Sequence, residues 1–332
     1  MKNTFFCIDA HTCGNPVRLV AGGAPTLPHA PIAERRALFL EQYDWIRRAL
    51  MFEPRGHDVM SGAILYPPFR EDCDVAVLFI EVSGCLPMCG AGTIGLVTTG
   101  LQEGLIRPRV PGEVALETPA GRVDVRYTLE NGRVSSVQML NVASYLHATD
   151  VEVQLEGVGT LKVDVAYGGN YYAVVESQAN WAGLEGARAA TLIQLSQQLR
   201  RALAEVIDPV HPFDDRIRGV HHVIWCDQPD IDGVDGRCAV FYGEQAIDRS
   251  PGGTGTSARM AQLHGRGRLP VGQDFCHQSL IGTRFVGRVE AETQIGAYTG
   301  ILPSVTGWAR VIGYNTLIVD DEDPLAHGFQ IT

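Results

Sequence analysis

Alternating apolar and polar positions divide most of the chain into strands, and helical periodicity interrupts them at a few places. Short strands are predicted at "FFCIDAH" and "PVRLVAGG", then at "GAILYPP" and "VAVLFIEV". Between these pairs, "PIAERRALFLEQYDWIRRALM" (31–51) carries apolar residues at Ala37, Leu40, Tyr43, Ile46 and Leu50, the spacing of one helix face. From Gly112 onward "GEVALETPAGRVDVRYTLENGRVSSVQMLNV" alternates strictly and holds two turn signals, "PAGR" and "ENGR", which predicts an antiparallel meander. Further strands are expected at "VGTLKVDVAYGG", "YYAVVES", "VHHVIWC" and "RCAVFYG". A second long helix is expected over residues 186–207, and strand and turn over 282–320.

The order repeats: strands, a long helix, strands, a glycine-rich turn, a short helix. That predicts an α/β (α+β) chain of two pseudo-symmetric domains, each a mostly antiparallel sheet wrapped on a helix. One domain is expected over residues 1–118, completed by strands at about 300–332, and the other over 119–299. With 332 residues and 45% hydrophobic content, the chain can bury a sizeable core. Its net charge of −11 argues against nucleic acid and anionic membrane as partners. The first residues, "MKNTFFCIDAHTCGNP", lack an apolar signal segment, and the longest apolar run, "VAVLFIEV", is strand-sized. A cytoplasmic monomer or homodimer is expected. Eight cysteines occur without a CxxC pair, so they are expected reduced, and no structural zinc site is expected.

Two stretches carry candidate chemistry. In "GCLPMCGAGTIGLVT" a glycine turn follows a strand and opens a helix, and "DRSPGGTGTSARMAQL" repeats the design. Such turns are often only tight strand-to-helix connections. They also let a ligand approach backbone amides at a helix N-terminus, which suits a carboxylate or phosphate. Aligned, Cys89-Gly90-Ala91-Gly92-Thr93 stands against Gly252-Gly253-Thr254-Gly255-Thr256. Only the first carries a thiol, and a helix N-terminus favours its thiolate form. The paired turns suggest one anion site built from both halves. Asp248 is either a helix-capping carboxylate or a site residue.

Four segments, "IDAHTCGNPVRLV", "EPRGHDVMSGAILYPP", "MCGAGTIG" and "DRSPGGTGTSA", resemble the proline racemase family over nearly the whole chain. That family includes proline racemases, hydroxyproline 2-epimerases and trans-3-hydroxyproline dehydratases. The resemblance implies a diaminopimelate-epimerase-like fold and cofactor-free chemistry, in which one thiolate removes the α-proton and an opposite thiol returns one. It places Cys89 as the first catalytic cysteine. Gly90 and Ala91 fall where backbone and side chain meet the substrate, and Gly253 and Thr254 in the second carboxylate cradle. Asp248 falls where an acid meets the substrate amine, and His222 near a substrate-contacting histidine. Two positions depart from the pattern: Gly252 stands where the second catalytic cysteine or a dehydratase threonine is found, and Ala91 where histidine is common. The resemblance therefore implies a binder of a proline-like carboxylate or another anion, without ordinary two-cysteine racemase or epimerase activity. A one-base trans-3-hydroxyproline dehydratase using Cys89 and a residual hydroxyproline 2-epimerase are the alternatives. Cysteine would fit at position 252 if φ there is negative.

Overall fold

A computed structural model describes residues 2–228 and 231–331. Contacts divide it into two units, one of residues 1–139 with 307–332, the other of residues 140–306. The secondary structure is mixed and sheet-rich.

In the first unit, β1 (Lys2–Thr12) pairs antiparallel with β2 (Asn15–Gly22) and with the closing strand Ala309–Asp320. Helices α1 (Ile32–Gln42) and α2 (Asp44–Met51) follow. The single helix expected over 31–51 is thus broken at Tyr43, whose φ of −130° and ψ of 8° end one helix and begin the next. Asp44 accounts for the break. Aspartate favours a helix start over its interior, and here its carboxylate also takes the Arg47 guanidinium at 2.6 Å. The chain then forms β3 (Ser61–Tyr66), β4 (Val75–Glu81) and β5 (Gly84–Leu86), followed by α3 (Gly90–Gln102) and the meander β6 (Glu113–Thr118), β7 (Gly121–Glu130) and β8 (Arg133–Leu140). Strands β2 and β3 run parallel, β3–β4 and β4–β5 antiparallel, and β4–β6 parallel. Every residue of α3 from Gly90 to Gly100 is buried. Its glycines permit that depth: a Cβ on Gly95 would lie 3.0 Å from both Thr12 Oγ1 and Val17 Cγ1.

The second unit repeats the plan. Strands β9 (Ser144–Leu155), β10 (Gly159–Tyr167) and β11 (Tyr171–Val175) form an antiparallel run. Helix α4 (Ala189–Ala204) buries Leu192, Leu195, Leu199 and Leu203 along one face, each burial worth about 1.5–3 kcal/mol. After the small ribbon β12 (Val210–His211) and β13 (Asp214–Arg218) come β14 (His222–Asp227), β15 (Gly236–Tyr242) and β16 (Ala246–Ile247). Helix α5 (Gly253–Gly265) and strands β17 (Asp274–Gln278), β18 (Arg284–Ile295) and β19 (Tyr298–Gly307) complete the unit. The pairings β11–β14 parallel, β14–β15 and β15–β16 antiparallel, and β15–β17 parallel reproduce those of β2 to β6 in order. Helix α5, buried from Gly253 to Leu263, occupies the place of α3.

Candidate active site

In the first unit, the buried strand β4 and the short β5 deliver the chain to Cys89, the N-cap of α3. Its extended backbone (φ −136°, ψ 112°) turns Sγ back over the helix end, where it accepts from Gly92 N at 3.3 Å. Thr93 donates its amide and its hydroxyl to the Cys89 carbonyl at 2.9 and 2.8 Å. Thr12 of β1 donates to the Ala91 carbonyl at 2.8 Å and so ties the turn to the sheet. Cys89 retains 8% exposure and Ala91 4%, so both are buried in the fold. On the inner side, Cys89 Sγ lies 3.8 Å from Glu81 Oε1.

In the second unit, Asp248 Oδ1 accepts from Ser250 N at 2.7 Å and from Ser250 Oγ at 2.8 Å. Gly252 N donates to Ser250 Oγ at 3.2 Å, and Thr256 N closes the first helical turn on Gly252 O at 2.8 Å. Gly252 has φ +74° and ψ 115°, a conformation that glycine alone adopts readily, so the condition for a cysteine here is not met. A Cβ at this position would lie 3.3 Å from Val240 Cγ2 and 3.6 Å from Asp248 Oδ2. Thr254 Oγ1 and the Tyr172 hydroxyl share a 2.7 Å hydrogen bond, and the His222 ring packs on Tyr172 with centroids 5.0 Å apart. Beneath the turn, Thr256 Oγ1 meets His277 Nδ1 at 2.9 Å, with Cys238 Sγ 3.8 Å from the same nitrogen.

The sequence-selected residues therefore form two local groups. Cys89, Gly90 and Ala91 share one turn. Asp248, Gly252, Gly253 and Thr254 share the other, and His222 joins it through Tyr172. Sequence reasoning missed Glu81, Tyr172 and His277. Glu81 had a signal, an acid closing an otherwise apolar strand. Tyr172 and His277 look in sequence like ordinary strand residues. Among the described residues, no group of three or more His, Cys, Asp or Glu is placed to hold a metal ion. Among the same residues, no helix is long and apolar enough to cross a membrane.

Burial sets the electrostatics. It pushes the Glu81 carboxyl above its ordinary range, against hydrogen bonds from Ser83, Ser61 and Cys89 that pull it down. It lowers His222 to about 3, with smaller contributions from His221 and Arg200, and His277 to about 3, with a smaller one from Arg259. Both imidazoles are neutral in the fold near neutral pH. A histidine lowered on folding binds fewer protons in the folded state, so its stability is complete above about 6.5 and is lost as pH falls towards 3. Each should cost about 1.4 kcal/mol per pH unit across that window. The raised Glu81 acts with the opposite sign. Urea unfolding at stepped pH should therefore show a slope that flattens in His277→Gln relative to wild type, and an unchanged slope would refute the assignment.

Comparison with known proteins shows the family. The proline racemase family model matches residues 7–330. A 4-hydroxyproline 2-epimerase 2 of Rhizobium rhizogenes is 66% identical over 331 residues, covering 100% of both chains. A 4-hydroxyproline 2-epimerase of Shewanella loihica is 53% identical, covering 100% of this chain and 99% of its own. Among solved structures, a hydroxyproline epimerase from Agrobacterium vitis with bound trans-4-hydroxy-L-proline superposes with a TM-score of 0.91 at 29% identity, over 99% of this chain and 95% of that one. A probable proline racemase from Agrobacterium radiobacter K84 with bound carbonate gives 0.91 at 31% identity, over 98% and 96%.

Proposed function

The chain belongs to the proline racemase family, and on that premise we propose that it binds a small imino acid by its carboxylate and removes the neighbouring Cα proton with Cys89. The observation that carries this reading is the contrast between the two helix starts: a capped, nearly buried thiol at Cys89 and a side-chain-free Gly252 at φ +74°. The N-terminus of α3, which Cys89 caps, offers amides to a carboxylate. When Cα loses its proton, charge flows into that carboxylate, and donors already in place stabilise it without rearranging. A proline-like ring is the favoured substrate class, because relatives in sequence are called 4-hydroxyproline 2-epimerases and a structural neighbour holds trans-4-hydroxy-L-proline. With no thiol at position 252, the proton returns to the face it left, and the ordinary two-thiol inversion is absent or slow.

One observation favours a second reading, slow 2-epimerisation. Asp248 Oδ2 lies 3.6 Å from where a Cβ at position 252 would stand, so a carboxyl occupies the neighbourhood of the missing thiol. Incubating proline, 4-hydroxyproline and 3-hydroxyproline isomers with the protein in heavy water separates the readings. Deuterium entering the recovered isomer without an epimer supports one-base exchange. A deuterated C2 epimer supports the Asp248 reading, and loss of water from the trans-3-hydroxy isomer marks a dehydratase. Absence of deuterium from every isomer overturns the assignment of Cys89 as base.

A further inference from the structure

Glu81 ends β4, a strand whose seven residues are all buried, and is itself 5% exposed. Its carboxyl is ringed by hydroxyl and thiol donors. Ser61, its register partner on β3, donates to Oε1 at 3.0 Å, and Ser83, in the turn after β4, donates to Oε2. Cys89 Sγ donates to Oε1 across 3.8 Å. Arg47 of α2 points its guanidinium elsewhere, to the Asp44 carboxylate and, at 2.9 Å, to the main-chain oxygen of Glu81. Cys85 of β5, paired in register with Ile80, is pushed up to about 11 by burial and so stays a neutral thiol. An acid deep in an apolar strand, without an arginine or lysine on its carboxylate and in contact with the sulfur, is expensive to maintain for packing alone.

We propose that Glu81 is a positioning residue that takes the proton of the Cys89 thiol and holds it while the sulfur acts as base. The inference rests on the reading of Cys89 given above. In this step the Sγ–H bond breaks and an Oε1–H bond forms, and the negative charge moves from carboxylate to sulfur. Total charge is unchanged and no further reactant is needed. Burial raises the basicity of the carboxylate, which favours its taking the proton from a thiol already in contact with it. Ser61 and Ser83 hold the carboxyl against the sulfur in either state. Ala91, in the next turn of chain, brings no imidazole to do the same work.

Two groups sharing one proton titrate as a pair. Alkylation of Cys89 by iodoacetamide, followed on its peptide by mass spectrometry across the pH range, reads that pairing directly and does not require turnover. In wild type the rate should rise in two steps with a plateau between them, because one proton is distributed over Glu81 and Cys89. In Glu81→Gln only one step should remain. Glu81→Asp, which keeps the acid but shortens its reach, should restore part of the lower step. In parallel, kcat/KM for Cα–H exchange should fall by about 10²–10⁴-fold in Glu81→Gln, with most of the loss in kcat. A single identical step in wild type and Glu81→Gln would overturn the proposal. If Glu81→Gln does not fold, a single step in wild type alone overturns it. A two-step profile in a protein that exchanges no imino acid proton supports the pair and removes the Cα-deprotonation reading instead.

Discussion

Replacing Cys89 with serine should lower Cα–H exchange by about 10²–10⁴-fold, the usual contribution of a positioned base, while leaving the fold intact. Serine keeps an N-cap acceptor for Gly92 N, now made by the sulfur at 3.3 Å, so α3 should start where it does. What serine lacks is acidity. Its hydroxyl loses a proton far less readily than a thiol, and the carboxyl of Glu81 cannot bridge that difference. Cys89→Ala should lose exchange to a similar extent and also lose the cap, at a cost of about 1 kcal/mol in stability. The pair separates chemistry from structure: thermal unfolding should distinguish alanine from serine, while proton exchange should not. Serine variant turnover equal to wild type would show that another group removes the proton.

The architecture was legible because the exposed strands of each unit alternate buried and solvent-facing positions while its helices carry a buried face, and both patterns are written in the sequence. The two glycine turns were legible for a related reason. A helix packed as deeply as α3, with Gly95 against Thr12 and Val17, requires small residues, and these stand out in sequence. Other features lie beyond local pattern. β9 was missed because "SYLHATDVEVQL" mixes polar and apolar residues, and only four of its twelve positions are buried. The break at Tyr43 escaped the periodicity because Asp44 keeps the apolar spacing intact while changing the backbone. Glu81 read as the end of a buried strand, since its closeness to Cys89 depends on the turn through Ser83 and Gly84. The family resemblance set Gly252 where a second thiol or a dehydratase threonine is expected. Only the structure gave its positive φ, which changes what a substitution there should do.

Introducing cysteine at position 252 should cost about 1–3 kcal/mol of stability rather than simply restoring a second acid. At φ +74° a side chain is strained whatever space surrounds it, and here the new Cβ also presses on Val240 at 3.3 Å. Relief requires the backbone to rotate towards negative φ. That rotation would pull Gly252 O away from Thr256 N, a 2.8 Å bond that opens α5, and displace the amides of Gly253 and Thr254. The substitution therefore trades the carboxylate cradle for the thiol. Adding Ala91→His would return an imidazole near Cys89 but leave that backbone conflict untouched, so the double variant should produce no more C2 epimer than wild type. Gly252→Ala is the control, since it carries the backbone strain without the sulfur. Urea unfolding should give nearly equal losses for alanine and cysteine, and epimer formation from 4-hydroxyproline should stay at the wild-type level in both. An alanine variant as stable as wild type, together with a cysteine variant that inverts the substrate, would mean the turn relaxes freely and that the thiol alone was missing.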